Sequence, residues 1–285
     1  MPFGISIVLK TIRFSHTAFA LPFAFMGAVL AARGWPTGWQ VFWLLMAMVG
    51  ARTGALALNR FADAELDAEN PRTRHWPIPR GLVTRGQVLV LAMVGFGLFL
   101  LAAYMLRPFL VLLVPLVIAI FVFYPYTKRF TWLSHFLNGF CLGMAPSGAW
   151  LAITGGLAVA PLLMTMAVMF WVAGFDILYS LEDLEFDRKK GLRSFPQRFG
   201  IRGSFIVARL CHGIMVLLLI GLYFLLRLGL PYLLGVVGVA SLLLYEHLFL
   251  RGEDPSRVEG AFFTVNGFIS IVIFFFTLID VALSS

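Results

Sequence analysis

Two stretches of this chain carry acids at the same spacing. Asp63-Ala-Glu-Leu-Asp67 and Asp183-Leu-Glu-Phe-Asp187 each place an acid at every second position, and a basic turn follows both. In a helix, residues four apart share a face. Asn59, Asp63 and Asp67 then form one stripe, and Tyr179, Asp183 and Asp187 form another, with Asp176 one turn before Tyr179. Like charges at this spacing cost an exposed helix about 0.2–0.5 kcal/mol per pair. Facing a protein interior, an unpaired charge costs several kcal/mol. Cations bridging the two stripes would remove that cost. Ligands that are all oxygen favour a hard ion such as Mg²⁺. Mg²⁺ takes one or two carboxylates from protein and other ligands from substrate phosphate. Basic residues surround both stripes and can grip phosphate oxygens directly. Acids, metal and nearby arginine together describe a diphosphate site. Ordinary solvated charges at two helix ends are the plainer alternative.

Other polar residues point the same way. Arg52 lies within an apolar run, seven positions before Asn59 and so on nearly the same stripe. An arginine inside a membrane span costs at least about 2.5 kcal/mol and is a functional candidate by default. A structural counter-ion to an acid is its other role. Tyr124 and Lys128 are four apart in the segment YPYTKR. They read either as a second clamp on the diphosphate or as an interfacial aromatic beside a membrane-flanking lysine. His16, His135 and Asn138 are weaker candidates, each better read as structural.

The elements that must hold these residues are apolar. The chain has 285 residues, 60% hydrophobic and 13% charged, where a soluble domain carries about 25% charge. Apolar runs long enough to cross a bilayer, about 20 residues each, recur throughout. This predicts one polytopic membrane domain over residues 1–285, with faint repeat halves near 1–130 and 131–285. Nine helices are expected, at roughly 14–33, 39–60, 86–106, 108–124, 133–153, 161–181, 204–226, 230–250 and 262–283. The apolar run after Lys10 and Arg13 is long and is followed by many others, so it reads as a first span and not as a cleaved leader. Pro22, Pro115 and Pro146 are expected inside spans, where neighbouring helices must satisfy the freed backbone groups. Cys141 and Cys211 lie far apart in apolar segments, with no metal-binding spacing, and read as packing.

Charge sets the orientation. Sixteen of the 22 Lys and Arg fall in the N-terminus and the alternate loops that share its side, against Arg33, Arg107 and Arg227 on the other. The positive-inside rule puts the N-terminus and both acidic motifs at the cytoplasmic face and the C-terminus outside. The net charge of +8 suits anionic lipid headgroups or an anionic substrate. Nothing in the pattern calls for nucleic acid.

These residues carry a resemblance along essentially the whole chain. Asn59-x-x-x-Asp63-x-x-x-Asp67, Asp176-x-x-Tyr179-x-x-x-Asp183-x-x-x-Asp187 and Tyr124-x-x-x-Lys128 resemble the motifs of the UbiA-type intramembrane prenyltransferases. The NPRT at Asn70–Thr73 and the tail DRKKGLRSFPQRFG are similar to the family as well. The segments IRFSHTAFALPFA and ARTGALALNR look closest to a subgroup of 4-hydroxybenzoate prenyltransferase-like members, linked to the futalosine route to menaquinone. One position departs: Trp76 stands where the family usually carries an arginine, and Arg74 or Arg80 are the candidate substitutes.

The resemblance implies an all-α membrane fold of about nine transmembrane helices around a central cavity open to the cytoplasmic face and to lipid. It implies a bacterial inner-membrane enzyme. This enzyme moves a polyprenyl group from polyprenyl diphosphate to a ring carbon of an aromatic acid acceptor, 4-hydroxybenzoate or 1,4-dihydroxy-6-naphthoate. Asp63, Asp67, Asp183 and Asp187 are then the Mg²⁺ ligands. Asn59, Arg72, Tyr124, Lys128 and Arg193 are the substrate-binding residues. Asp176 and Tyr179 are placed at the chemistry, Asp176 as ring-proton base or acceptor orienter, and Arg52 at the acceptor's carboxylate or an acid of the first motif. Rival readings are a family member with another acceptor (haem, chlorin or glycerol phosphate) and a membrane carrier.

Overall fold

Long apolar runs with few breakers form helices here because a lipid-facing backbone must satisfy its own polar groups. The computed structural model describes residues 20–249 and 258–284. They are helical, with no strand among them. The longer elements are α1 (Leu21–Ala32), α2 (Gly38–Ala62), α3 (Ala64–Glu69), α4 (Arg85–Leu106), α5 (Val114–Phe123), α6 (Ser134–Thr154), α7 (Val159–Tyr179), α8 (Leu184–Lys190), α9 (Phe195–Leu226), α10 (Leu230–Phe249) and α11 (Val258–Ser284). Tight 3₁₀ turns cover Pro108–Leu112, Tyr124–Arg129 and Ser180–Asp183. Among the described residues, eight helical segments are long and apolar enough to cross a membrane. The remaining expected span, 14–33, begins outside the described residues and is represented by α1.

Pro115 and Pro146 lie within the spans Pro108–Arg129 and Ser134–Thr154, as expected, and Pro22 lies in the expected span that begins outside the described residues. Pro22 and Pro115 occupy the first turns of α1 and α5, where a missing N–H is no loss. Pro146 is interior to its α-helix, α6.

The described residues divide into two compact units, one of residues 37–127 and the other of residues 20–36 with everything from Lys128 on. In the first unit α2 packs on α4. Their axes approach closely because glycines face each other. A Cβ on Gly50 would lie 2.6 Å from the backbone N of Phe99, and one on Gly95 would lie 2.5 Å from the backbone N of Gly54. Small residues four apart are the usual device for such a crossing in a membrane. This unit also has an open groove lined by Phe96, Leu100, Pro115, Ile118 and Tyr126. So apolar a lining fixes no ligand's orientation.

In the second unit α7 packs against α6 and α9, and α1 against α6. Thr165 Oγ1 donates to the Gly143 carbonyl at 2.7 Å, and Ser147 Oγ to the Pro161 carbonyl at 2.8 Å, bonding α6 to α7. Phe23, Met26, Trp171, Met215, Tyr232 and Ile269 form the centre of its core. Two acids deep in this unit have structural work. Asp280 on α11 accepts from the backbone N–H groups of Gly229 at 3.0 Å and Tyr232 at 3.3 Å, at the start of α10. Glu246 accepts from Asn266 at 3.2 Å, and Asn266 accepts from Trp171 Nε1 at 2.7 Å.

Candidate functional site

Each unit carries one acidic motif at the end of its motif helix. In the first unit the stripe is not one continuous helix, as its spacing predicts. Asp63 sits at the break between α2 and α3, with φ −99° and ψ 4°. The face is preserved across the break. The Asp63 N–H donates to the Asn59 carbonyl at 3.0 Å, and the Asp67 N–H to the Asp63 carbonyl at 2.8 Å. Asp63 is 4% exposed and Asp67 9%, so both carboxylates need compensation.

Some of that compensation is local. Arg60 Nη1 lies 3.4 Å from Asp67 Oδ2, with both side chains largely buried. Arg60 in turn stacks on Trp76, its guanidinium carbon 3.8 Å from the ring centroid, and Arg72 lies 5.8 Å from the same ring. The segment after α3 is folded back to make this possible. Thr73 Oγ1 donates to the Asp67 carbonyl at 3.0 Å, and Asn70 Oδ1 accepts from the Arg72 N–H at 2.9 Å. Trp76 is therefore explained by its contacts. Arg74 and Arg80, the expected substitutes for an arginine there, are exposed, and the nearer cation on the Trp76 ring is Arg60. Arg52 is half-buried on α2, and Tyr124 and Arg60 are its electrostatic neighbours. Glu65 points to the surface and meets Arg85 at 3.1 Å.

The second unit repeats the design. Asp183 sits at the break before α8 with φ −98° and ψ 2°, angles that match those of Asp63. Asp187 is buried to 9%, as Asp67 is. Glu185 is exposed, as Glu65 is. Lys128, His135 and Asp183 are electrostatic neighbours of Asp187. The Lys128 carbonyl accepts from the Arg193 N–H at 2.7 Å, and Arg193 Nη1 donates to the Phe130 carbonyl at 2.7 Å. Arg193 thus ties its loop to the segment carrying Lys128, and its side chain is exposed. Tyr179 ends α7, half-buried.

Asp176 has a partner that its spacing gave no sign of. His135 Nδ1 lies 2.7 Å from Asp176 Oδ2, and His135 is 6% exposed. Forty-one positions separate the two. The crossing of α6 and α7 brings them together. Asn138 is half-buried, and His16 lies outside the described residues.

The donor set fits Mg²⁺ of a particular kind. Each motif offers two carboxylates four residues apart, and among the described residues no three His, Cys, Asp or Glu side chains cluster as a metal cage. One or two carboxylates, with phosphate oxygens supplying the rest, is the usual Mg²⁺ arrangement.

Residues 20–276 match the UbiA prenyltransferase family. The chain belongs to that family. This UbiA-family prenyltransferase is 30% identical over 241 residues to the 4-hydroxybenzoate octaprenyltransferase of Methylobacillus flagellatus, covering 84% of this chain and 81% of the relative. It is 31% identical over 260 residues to the 4-hydroxybenzoate octaprenyltransferase of Nitrosomonas europaea, covering 89% and 86%. Its fold is similar to the apo structure of a UbiA homolog from Aeropyrum pernix K1, with TM-score 0.85 and 32% identity over 93% of this chain and 98% of that one. A UbiA homolog from Archaeoglobus fulgidus bound to GPP and Mg²⁺ shares the fold at TM-score 0.74 and 19% identity, over 97% and 99%. Membership in this multi-pass membrane enzyme family replaces the carrier alternative.

Proposed function

We propose that this enzyme transfers a polyprenyl group from polyprenyl diphosphate to a ring carbon of a hydroxylated aromatic acid, with Mg²⁺ as cofactor. The acceptor is 4-hydroxybenzoate or 1,4-dihydroxy-6-naphthoate. The reaction runs at the cytoplasmic face of the bacterial inner membrane, with the C-terminus outside. One observation carries the reading: the matched junctions at Asp63 and Asp183, each followed four residues on by a carboxylate that is 9% exposed. The names of the relatives at 30% and 31% identity support the class of acceptor.

Asp63, Asp67, Asp183 and Asp187 hold Mg²⁺ together with the diphosphate. When bound, the metal neutralises charge on the leaving diphosphate. The rest of the work falls to the chain's own residues. Asn59, Arg72, Tyr124, Lys128 and Arg193 bind and orient the diphosphate head. Arg52 contacts the acceptor's carboxylate. Asp176 receives the ring proton, with Tyr179 beside it on α7. The prenyl tail lies among apolar helices and leads to lipid. It comes from lipid as well, so its length adds little net binding energy.

Membranes containing the enzyme, incubated with radiolabelled polyprenyl diphosphate and a panel of acceptors, test the proposal. Labelled product is expected with 4-hydroxybenzoate or 1,4-dihydroxy-6-naphthoate, and only with Mg²⁺ present. Product confined to haem, a chlorin or glycerol phosphate would overturn the acceptor assignment.

A further inference from the structure

Three elements converge on His135. It lies in the first turn of α6, and its Nδ1 meets Asp176 of α7 at 2.7 Å. Its Nε2 accepts the backbone N–H of Phe195 at 3.4 Å. Phe195 is the first residue of α9, so that N–H has no acceptor within its own helix. A ring nitrogen that accepts carries no proton. In the neutral imidazole the proton then sits on Nδ1. Nδ1 therefore donates and Asp176 Oδ2 accepts. The Asp176 side chain is 23% exposed against 8% for His135, so the carboxylate is the member of the pair within reach of a substrate.

We infer that His135 is a positioning residue for prenyl transfer: its Nδ1–H engages Asp176 Oδ2 and so orients the carboxylate to take the acceptor's proton. The inference rests on the proposed role of Asp176. In that reaction the bond between prenyl C1 and oxygen breaks, and its electron pair leaves with the diphosphate. The acceptor's ring carbon supplies a π pair to form the new carbon–carbon bond. The hydrogen on that carbon then moves to Asp176 as a proton, and the C–H electrons restore the aromatic ring. Asp176 must be ionised and aimed when the proton departs. A donor on Oδ2 stops the carboxylate from rotating and keeps it aimed.

A purely structural histidine, tying α6 to α7 and α9, predicts different behaviour, and substitutions separate the two. Asn reproduces the Nδ1 donor, Gln reaches the Nε2 position, and Leu keeps neither. The full-length enzyme is assayed with geranyl diphosphate and whichever of the two acceptors the wild type prenylates. The expected result is that His135→Asn keeps kcat within about threefold, while His135→Gln and His135→Leu lose about 10- to 100-fold, less than the roughly 10²–10⁴-fold that losing a general base itself costs. KM for geranyl diphosphate and the thermal midpoint should stay near wild type. An acceptor deuterated at the reacting ring carbon should give a larger isotope effect on kcat in His135→Leu than in the wild type, because proton removal becomes limiting. Equal losses in His135→Asn and His135→Leu, wild-type kcat in His135→Leu, or an unchanged isotope effect would overturn the inference. Absence of transfer by the wild type to either acceptor would instead defeat the proposed function, and the inference with it.

Discussion

Arg60 belongs to neither acidic stripe, yet its guanidinium touches both Asp67 and the ring of Trp76. A charged group this buried, at 14% side-chain exposure, is held by what surrounds it. Stacking on an indole contributes about 0.5–2 kcal/mol. It also fixes the direction from which the cation approaches the motif. Trp76→Ala is therefore expected to raise the KM for prenyl diphosphate by about 2- to 30-fold, the range those energies convert to. Trp76→Phe should stay close to wild type. Steady-state kinetics with the acceptor saturating check this, and an unchanged KM in Trp76→Ala would reduce Trp76 to packing. The sequence marks Trp76 as a departure but does not name its partner. Sixteen positions separate it from Arg60, and only the turn pinned by Asn70 and Thr73 closes that distance. His135 and Asp176 were unreadable as a pair for the same reason.

At the scale of elements, the helix spans were legible because their length follows from bilayer thickness. The breaks at Asp63 and Asp183 were not. A stripe at four-residue spacing reads as an unbroken helix, and across the first break the hydrogen bonds between residues four apart persist at 3.0 and 2.8 Å. The pattern that positions α2 was present in the sequence as Gly50-x-x-x-Gly54, and Gly139-x-x-x-Gly143 repeats it on α6. Gly95→Leu is expected to drive its side chain into the backbone of α2. The cost should be about 3 kcal/mol or more, with a fall of several degrees in Tm and loss of the folded enzyme at growth temperature. Gly97→Ala lies two residues along the same helix and meets nothing within 4 Å, so its Tm should match wild type. Equal thermal unfolding curves for the two variants would show that the close crossing of α2 and α4 does not carry stability. Asp280 makes the complementary point. It looks like a functional acid inside a span, but it satisfies backbone N–H groups at the start of α10, a job no spacing rule reveals.

For the molecule as a whole, the class of enzyme could be read from sequence because its chemistry-bearing residues recur twice at fixed intervals. Charge gives an orientation to be tested, since 16 of the 22 basic residues fall on one side of the alternating loops. A reporter enzyme that is active only outside the cytoplasm, fused after Ser285, is expected to be active. The same reporter inserted after Arg74 is expected to be silent, and the reverse pattern would invert the topology. The central claim is that the two motifs serve one Mg²⁺-bound diphosphate, and geranyl diphosphate binding to the purified full-length enzyme tests it most directly. Binding is measured across a Mg²⁺ titration for the wild type, Asp67→Asn and Asp187→Asn. The account predicts one Mg²⁺-dependent site in the wild type, and loss of that binding in either variant alone with folding intact. Two sites in the wild type with one surviving in each variant, or full binding in either variant, would contradict it.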